Sequence, residues 1–168
     1  LGFFFPGASL LDLKYGPMDR DDEPLSVEYR FHAPHLARRR GESGTAELVM
    51  PAPYPVLLSR NYVHLPQRQT PLLLQYIQPT TVDARIHLPA GVQLLQAVPP
   101  VELTDFGRFV QRVTPGTGPN NQGNLINLHA ELSVPLTRVP PERYGQFVEF
   151  ARRVDSAEES IAVLAVRP

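Results

Sequence analysis

The chain has 168 residues, with 16 Lys plus Arg against 17 Asp plus Glu and a net charge of −1. So balanced a charge provides no electrostatic attraction to nucleic acid or to an anionic membrane surface. Nineteen prolines against 11 glycines disfavour a helical bundle, and the absence of cysteine excludes disulfides, zinc–thiolate sites and a cysteine nucleophile within the chain.

The length suits one domain that buries roughly 70% of its unfolded surface. No apolar run approaches the length of a membrane-spanning helix. Residues 1–5 are apolar but lack the basic flank and small-residue cleavage site of a signal peptide. The start at Leu1 instead of Met leads to the expectation of a piece excised from a longer protein.

Residues 1–23 are expected to be a linker or an incomplete lead-in, with one strand over 9–15 and a solvated charged run from Asp19 to Glu23. That run lacks the alternating oxygen ligands and turn glycine of a calcium loop. The β-domain is expected over 24–168. Leu25, Val27, Tyr29 and Phe31 alternate with Ser26, Glu28, Arg30 and His32, predicting a strand with one buried and one wet face. Residues 45–50 predict a second strand. The loop between carries Arg38, Arg39 and Arg40, which read as a solvated turn before a phosphate patch.

Pro51, Pro53 and Pro55 force an extended connection; a polyproline ligand is the less favoured reading. Residues 56–65 predict a weak strand. The apolar run 70–77 predicts a strand buried on both faces. Over 81–88, Val82, Ala84, Ile86 and Leu88 point inwards and Asp83, Arg85 and His87 outwards. Pro89-Ala90-Gly91 predicts a turn, and 92–98 the next strand.

Residues 106–113 and 125–136 predict a hairpin. Ile126, Leu128, Ala130, Leu132, Val134 and Leu136 share one face; Asn127, His129, Glu131 and Ser133 share the other. Its connector, 115–123, has turn glycines but no Gly-Lys-Ser/Thr, and a strand follows it, which disfavours a phosphate-cradling loop.

A helix is predicted over about 141–156, opened by Pro140-Pro141. Tyr144, Phe147, Phe150, Ala151 and Val154 form one apolar stripe, leaving Arg143, Gln146, Glu149 and Arg152 to solvent. Glu142 in the first turn and Arg152-Arg153 in the last suit the helix dipole. So short a helix is marginal alone and must dock. A final strand is predicted over 160–166. Eight or nine strands and one helix predict a mainly β fold: a two-layer antiparallel β-sandwich, Ig-like or related, covered by an amphipathic helix near the C-terminus.

No catalytic, cofactor-binding or metal-ligating residue is assigned from the sequence, and no cofactor is expected. His32 and His35 are three residues apart, which puts their rings on opposite faces of a strand. With His64, His87 and His129 they leave a strand-borne zinc site as a minor alternative. No Gly-x-Ser-x-Gly elbow occurs. Asp83 and Glu131 fall on wet strand faces and read as a surface ladder, not an acid–base pair.

From Arg68 onward the chain resembles a bacterial family. The resembling residues are Arg68 with Pro71-Leu72, the turn from Ile86 to Gly91, Phe106-Gly107-Arg108-Phe109, and the closing pattern over 139–151 with Val154-Asp155-Ser156-Ala157. Members of that family carry an N-terminal β-domain, a transglutaminase-like core of papain type and a C-terminal β-sandwich, and this chain is similar to the last. The resemblance implies a non-catalytic accessory domain, since the family's Cys–His–Asp triad lies in the upstream core. It implies partners in the same polypeptide, or a protein or cell-envelope partner, and an extracytoplasmic location. The alternative is a stand-alone ligand-binding module for sugar or peptide, using a sandwich face or the loops at 38–40 and 116–123. The absence of Trp counts against stacking on sugars.

Overall fold

The structure is a computed structural model that describes residues 5, 7–17, 24–39, 44–52, 57–116 and 125–166. The charged run 19–23, Arg40 and most of the 115–123 connector lie outside the described residues, as do Pro53, Tyr54 and Pro55. The fold is mainly β, with antiparallel sheets and one long C-terminal helix. The chain forms two compact units, Leu1–Arg38 and Arg39–Pro168.

In the first unit β1 (Ser9–Tyr15) pairs antiparallel with β2 (Val27–His32). The register sets Leu13 opposite Tyr29 and Tyr15 opposite Val27, with Leu10 opposite Phe31 beyond a bulge at Leu11. The other face carries Asp12 opposite Arg30 and Lys14 opposite Glu28. The two-residue period is therefore present, but the expected burial is not. Leu25, Val27 and Tyr29 are exposed, Tyr29 at 46%, and among the described residues β1 and β2 form a sheet of two strands. β3 (Ala37–Arg39) is short, exposed and spans the division between the units.

In the second unit, one sheet has the order β6 (Ile77–His87), β10 (Leu125–Val134), β9 (Arg108–Gly116), β8 (Val101–Leu103). The predicted hairpin of β9 and β10 is present, in continuous antiparallel register. Ile126, Leu128, Ala130, Leu132 and Val134 are all buried, and Phe109 and Val113 share their face. Leu136 departs from the expectation at 66% exposed: β10 ends at Val134, before Pro135, which has no N–H to continue the ladder. In a second sheet, β12 (Ile161–Val166) lies between β4 (Thr45–Val49) and β7 (Val92–Gln96). Its buried face holds Ala46, Leu48, Ala162 and Leu164. The Ser160 hydroxyl, one residue before β12, donates to Oε1 of the fully buried Gln111 on β9 at 3.3 Å.

The turn before β7 has the predicted chemistry. Val92 N–H donates to the Pro89 carbonyl at 3.1 Å, and Gly91 takes φ of 79°, a conformation open to glycine at the third position of such a turn. Gly107 is required for another reason: a Cβ there would strike the Ser133 carbonyl on β10.

A turn of 3-10 helix (Pro141–Arg143) leads into α2 (Tyr144–Glu158). The predicted stripe is the buried one: Tyr144, Phe147, Phe150, Ala151 and Val154 are closed to solvent. They pack in one cluster with Leu103, Phe106, Phe109, Leu132 and Val134, so the helix seals one end of the β6–β10–β9–β8 sheet's inner face. Phe147 stands edge-on to Tyr62 and Phe106, at centroid distances of 6.1 and 5.5 Å. The helix runs to Glu158, past the predicted 156, so Arg152 and Arg153 fall short of its last turn.

Two expectations in the middle of the chain are corrected. In place of the weak strand expected over 56–65, the described residues 57–65 carry a short helix, α1 (Leu58–Tyr62), whose Leu58 is buried in the same cluster. The apolar run 70–77 is not buried on both faces. β5 (Leu72–Leu74) pairs with β11 (Thr137–Val139) in a two-stranded ribbon that buries Leu72 and Leu74 and leaves Leu73 53% exposed. A ribbon on the margin of a core has only one face to bury.

Candidate functional site

The outward face of the β6–β10–β9–β8 sheet concentrates the polar side chains that the alternation directs away from the core. Cross-strand register arranges them in rows. Asp83, His129 and Arg112 form one row across β6, β10 and β9; Arg85, Asn127 and Thr114 form the next. These six line an open depression of about 460 Å³. His129 Nδ1 lies 2.8 Å from Asp83 Oδ1, and the Asp83 side chain is otherwise 75% exposed.

Next to this depression lies an ion-pair network. Arg108 Nε donates to both carboxylate oxygens of Glu131, at 3.1 and 3.2 Å. Arg108 Nη1 donates to Glu102 Oε1 at 3.0 Å, and Arg112 Nη2 to Glu102 Oε2 at 3.4 Å. The hydrogen bond to Glu131, then that to Glu102, hold the Arg108 pKa above its ordinary value. Val110 faces outward between Glu102 and Glu131 in the register, yet is 1% exposed.

Asp83 and Glu131 thus form the expected surface ladder, each with a basic partner: His129 for one, Arg108 for the other. An Asp–His pair is two of the three members of a nucleophilic triad, but the chemistry also needs a hydroxyl or thiol hydrogen-bonded to the second ring nitrogen. Among the described residues no hydroxyl is bonded to His129. No group of three or more His, Asp or Glu able to hold a metal ion occurs among the described residues. His32 and His35 lie in the first unit and are exposed, as is His87 on β6, while His64 lies 2.9 Å from the Asn61 carbonyl beyond α1. Arg38 and Arg39 are exposed on β3.

The polar group that sequence reasoning passed over is inside. Asp155, 6% exposed on α2, accepts the Leu58 N–H at 2.7 Å through Oδ1 and the Ser59 N–H at 3.0 Å through Oδ2. It caps α1 across the fold, where α1's own N-cap position, Leu57, has no side chain able to do so. A signal was present: Asp155 stands four residues after Ala151, on the flank of the buried stripe, where a carboxylate requires donors. Nearby, the Tyr144 hydroxyl donates to the Leu65 carbonyl at 2.8 Å. Both contacts tie the 57–65 segment to α2.

No family model matches the chain, and no curated protein matches it. Among solved structures, the chain is similar to a "putative protease" from Parabacteroides distasonis, with a TM-score of 0.56 and 17% identity. The likeness covers 74% of this chain and 24% of that one. At that identity it concerns the fold alone. This chain therefore corresponds to about a quarter of the length of the protein it matches.

Proposed function

We propose that this chain is a non-catalytic accessory domain of a larger, transglutaminase-like protein, in contact with other domains of the same polypeptide or with a protein partner. The supporting observation is the unequal coverage: three quarters of this chain corresponds to one quarter of a much longer one, so the fold recurs as a part. The neighbour's description as a protease is in keeping with an amide-bond-acting core in the parent, and the sequence resemblance from Arg68 onward points the same way. The exposed apolar face of the β1–β2 hairpin suits a domain that works in contact with others. An extracytoplasmic setting belongs to the same reading.

The parent's coding sequence provides the test. The complete product should show transamidase or amidase activity abolished by thiol alkylation, this chain alone should show none, and the two parts expressed separately should associate by calorimetry. A start codon directly preceding a leader and Leu1, with no cysteine-bearing core encoded, would remove the proposal.

A second reading is favoured by one observation, the depression on the sheet's outer face. Its lining of Asp83, Arg85, Arg112, Thr114, Asn127 and His129 converges polar groups without an aromatic platform. That chemistry suits a charged, oxygen-rich sugar or peptide before a neutral sugar. Shifts of the His129 ring resonances on titration with glucuronate or acidic peptides would support it; an unchanged spectrum at millimolar ligand would exclude it.

A further inference from the structure

Strand β6 is an edge strand of 11 residues, long for an edge that natural sheets usually keep short or cover. It pairs with β10 on one side. On its other side its backbone groups make no hydrogen bond to another strand among the described residues. Gln78, Thr81, Asp83, Arg85 and His87 are exposed, and the inward Val82, Ala84 and Ile86 are only half-buried. The buried residues of β10 show how much further the same alternation is covered where a strand has neighbours on both sides.

We propose that this edge pairs with the same edge of a second copy of the chain, antiparallel and centred on Ala84, joining two four-stranded sheets into one of eight. The sequence of the edge is self-complementary in that register alone. Ala84 meets its own counterpart, Val82 meets Ile86, and Asp83 meets Arg85 twice, once on each side of the two-fold axis. Shifting the centre to Asp83 or Arg85 sets like charges opposite each other, which opposes pairing. The charges are available for it. Arg85 makes no ion pair among the described residues, and Asp83 uses Oδ1 towards His129, leaving Oδ2 for a cation. An isologous contact of this kind closes on itself and does not propagate into a filament.

Sedimentation equilibrium of the full chain, with circular dichroism as a check on folding, tests the proposal. The chain should dimerise. Asp83→Arg and Arg85→Asp should each weaken the dimer by about tenfold or more, because each turns two attractive pairs into two repulsive ones. The double exchange, Asp83→Arg with Arg85→Asp, should restore it. Arg85→Asp leaves the His129 contact in place, so its effect is not a loss of sheet stability. Because the chain has no native cysteine, Ala84→Cys offers a clean probe: oxidation should cross-link it between copies, and Gln96→Cys on the β7 edge should not cross-link. A monomer at all concentrations up to ~100 μM, two decades above a micromolar affinity, would overturn the proposal, as would a dimer indifferent to Arg85→Asp.

Discussion

Strands β2 and β10 follow the same rule and meet different fates. Both alternate apolar and polar residues, β2 throughout and β10 from Ile126 onward. In β10 every inward residue from Ile126 to Val134 is buried, whereas in β2 Val27 and Tyr29 stay open to solvent. The difference lies in what surrounds them. β10 is flanked by β6 and β9 and lies in a sheet whose inner face is partly sealed by α2. β2 has β1 as its partner in a sheet of two. Alternation says which residues share a face; only another layer makes that face a core.

The comparison breaks most sharply at the helix that supplies part of the layer. Phe147→Asp puts a carboxylate in the middle of the α2 cluster, where Phe147 is 1% exposed, and should unfold the second unit outright. Phe147→Ala should cost about 3–5 kcal/mol in urea denaturation. A variant melting like the parent would mean that the helix is not part of the core.

Next comes the carboxylate that fastens α1. Asp155→Ala leaves two backbone N–H groups without an acceptor and should lower stability by roughly 2–4 kcal/mol. The Leu58 and Ser59 amides should lose hydrogen-exchange protection together. Asp155→Asn keeps one acceptor oxygen and should lose less.

A matched pair of truncations then measures the contrast itself. Leu128→Ala in β10 should cost about 2–4 kcal/mol, whereas Tyr29→Ala in β2 should change global stability by less than about 1 kcal/mol. Amide exchange sharpens the same point: β2 amides should exchange through local opening, well ahead of those in β10. Equal protection of the two strands would imply a covering layer on β2. The smallest effect belongs to the exposed network on the outer face. Arg108→Gln should leave the denaturation midpoint at the parental value, since exposed ion pairs contribute little.

Most of the secondary structure was legible. The β9–β10 hairpin, the turn at Gly91 and the buried stripe of α2 follow from period-two and period-3.6 patterns and from glycine chemistry, which are local. The misreadings share a cause. Residues 56–65 read as a weak strand because the helix at 58–62 depends on Asp155, nearly a hundred positions away, for its cap. The run 70–77 reads as doubly buried because its composition carries no sign that the ribbon formed by 72–74 sits at the margin of the core. The candidate site was half visible. The alternation places Asp83, His129 and Glu131 on wet faces, but the pairings of Asp83 with His129 and of Glu131 with Arg108 depend on strand register. Register is set by tertiary packing and by the turn, not by either strand alone.

By itself the amino-acid order determined the face of each long strand and of the helix, because side-chain direction follows from backbone period wherever the chain ends up. It also determined the charge balance and the lack of thiol chemistry. The tertiary structure alone decided which faces became interior, which carboxylate capped which helix, and which strand was left at an open edge. Those outcomes depend on groups distant in sequence meeting in space, and no local pattern encodes the neighbour.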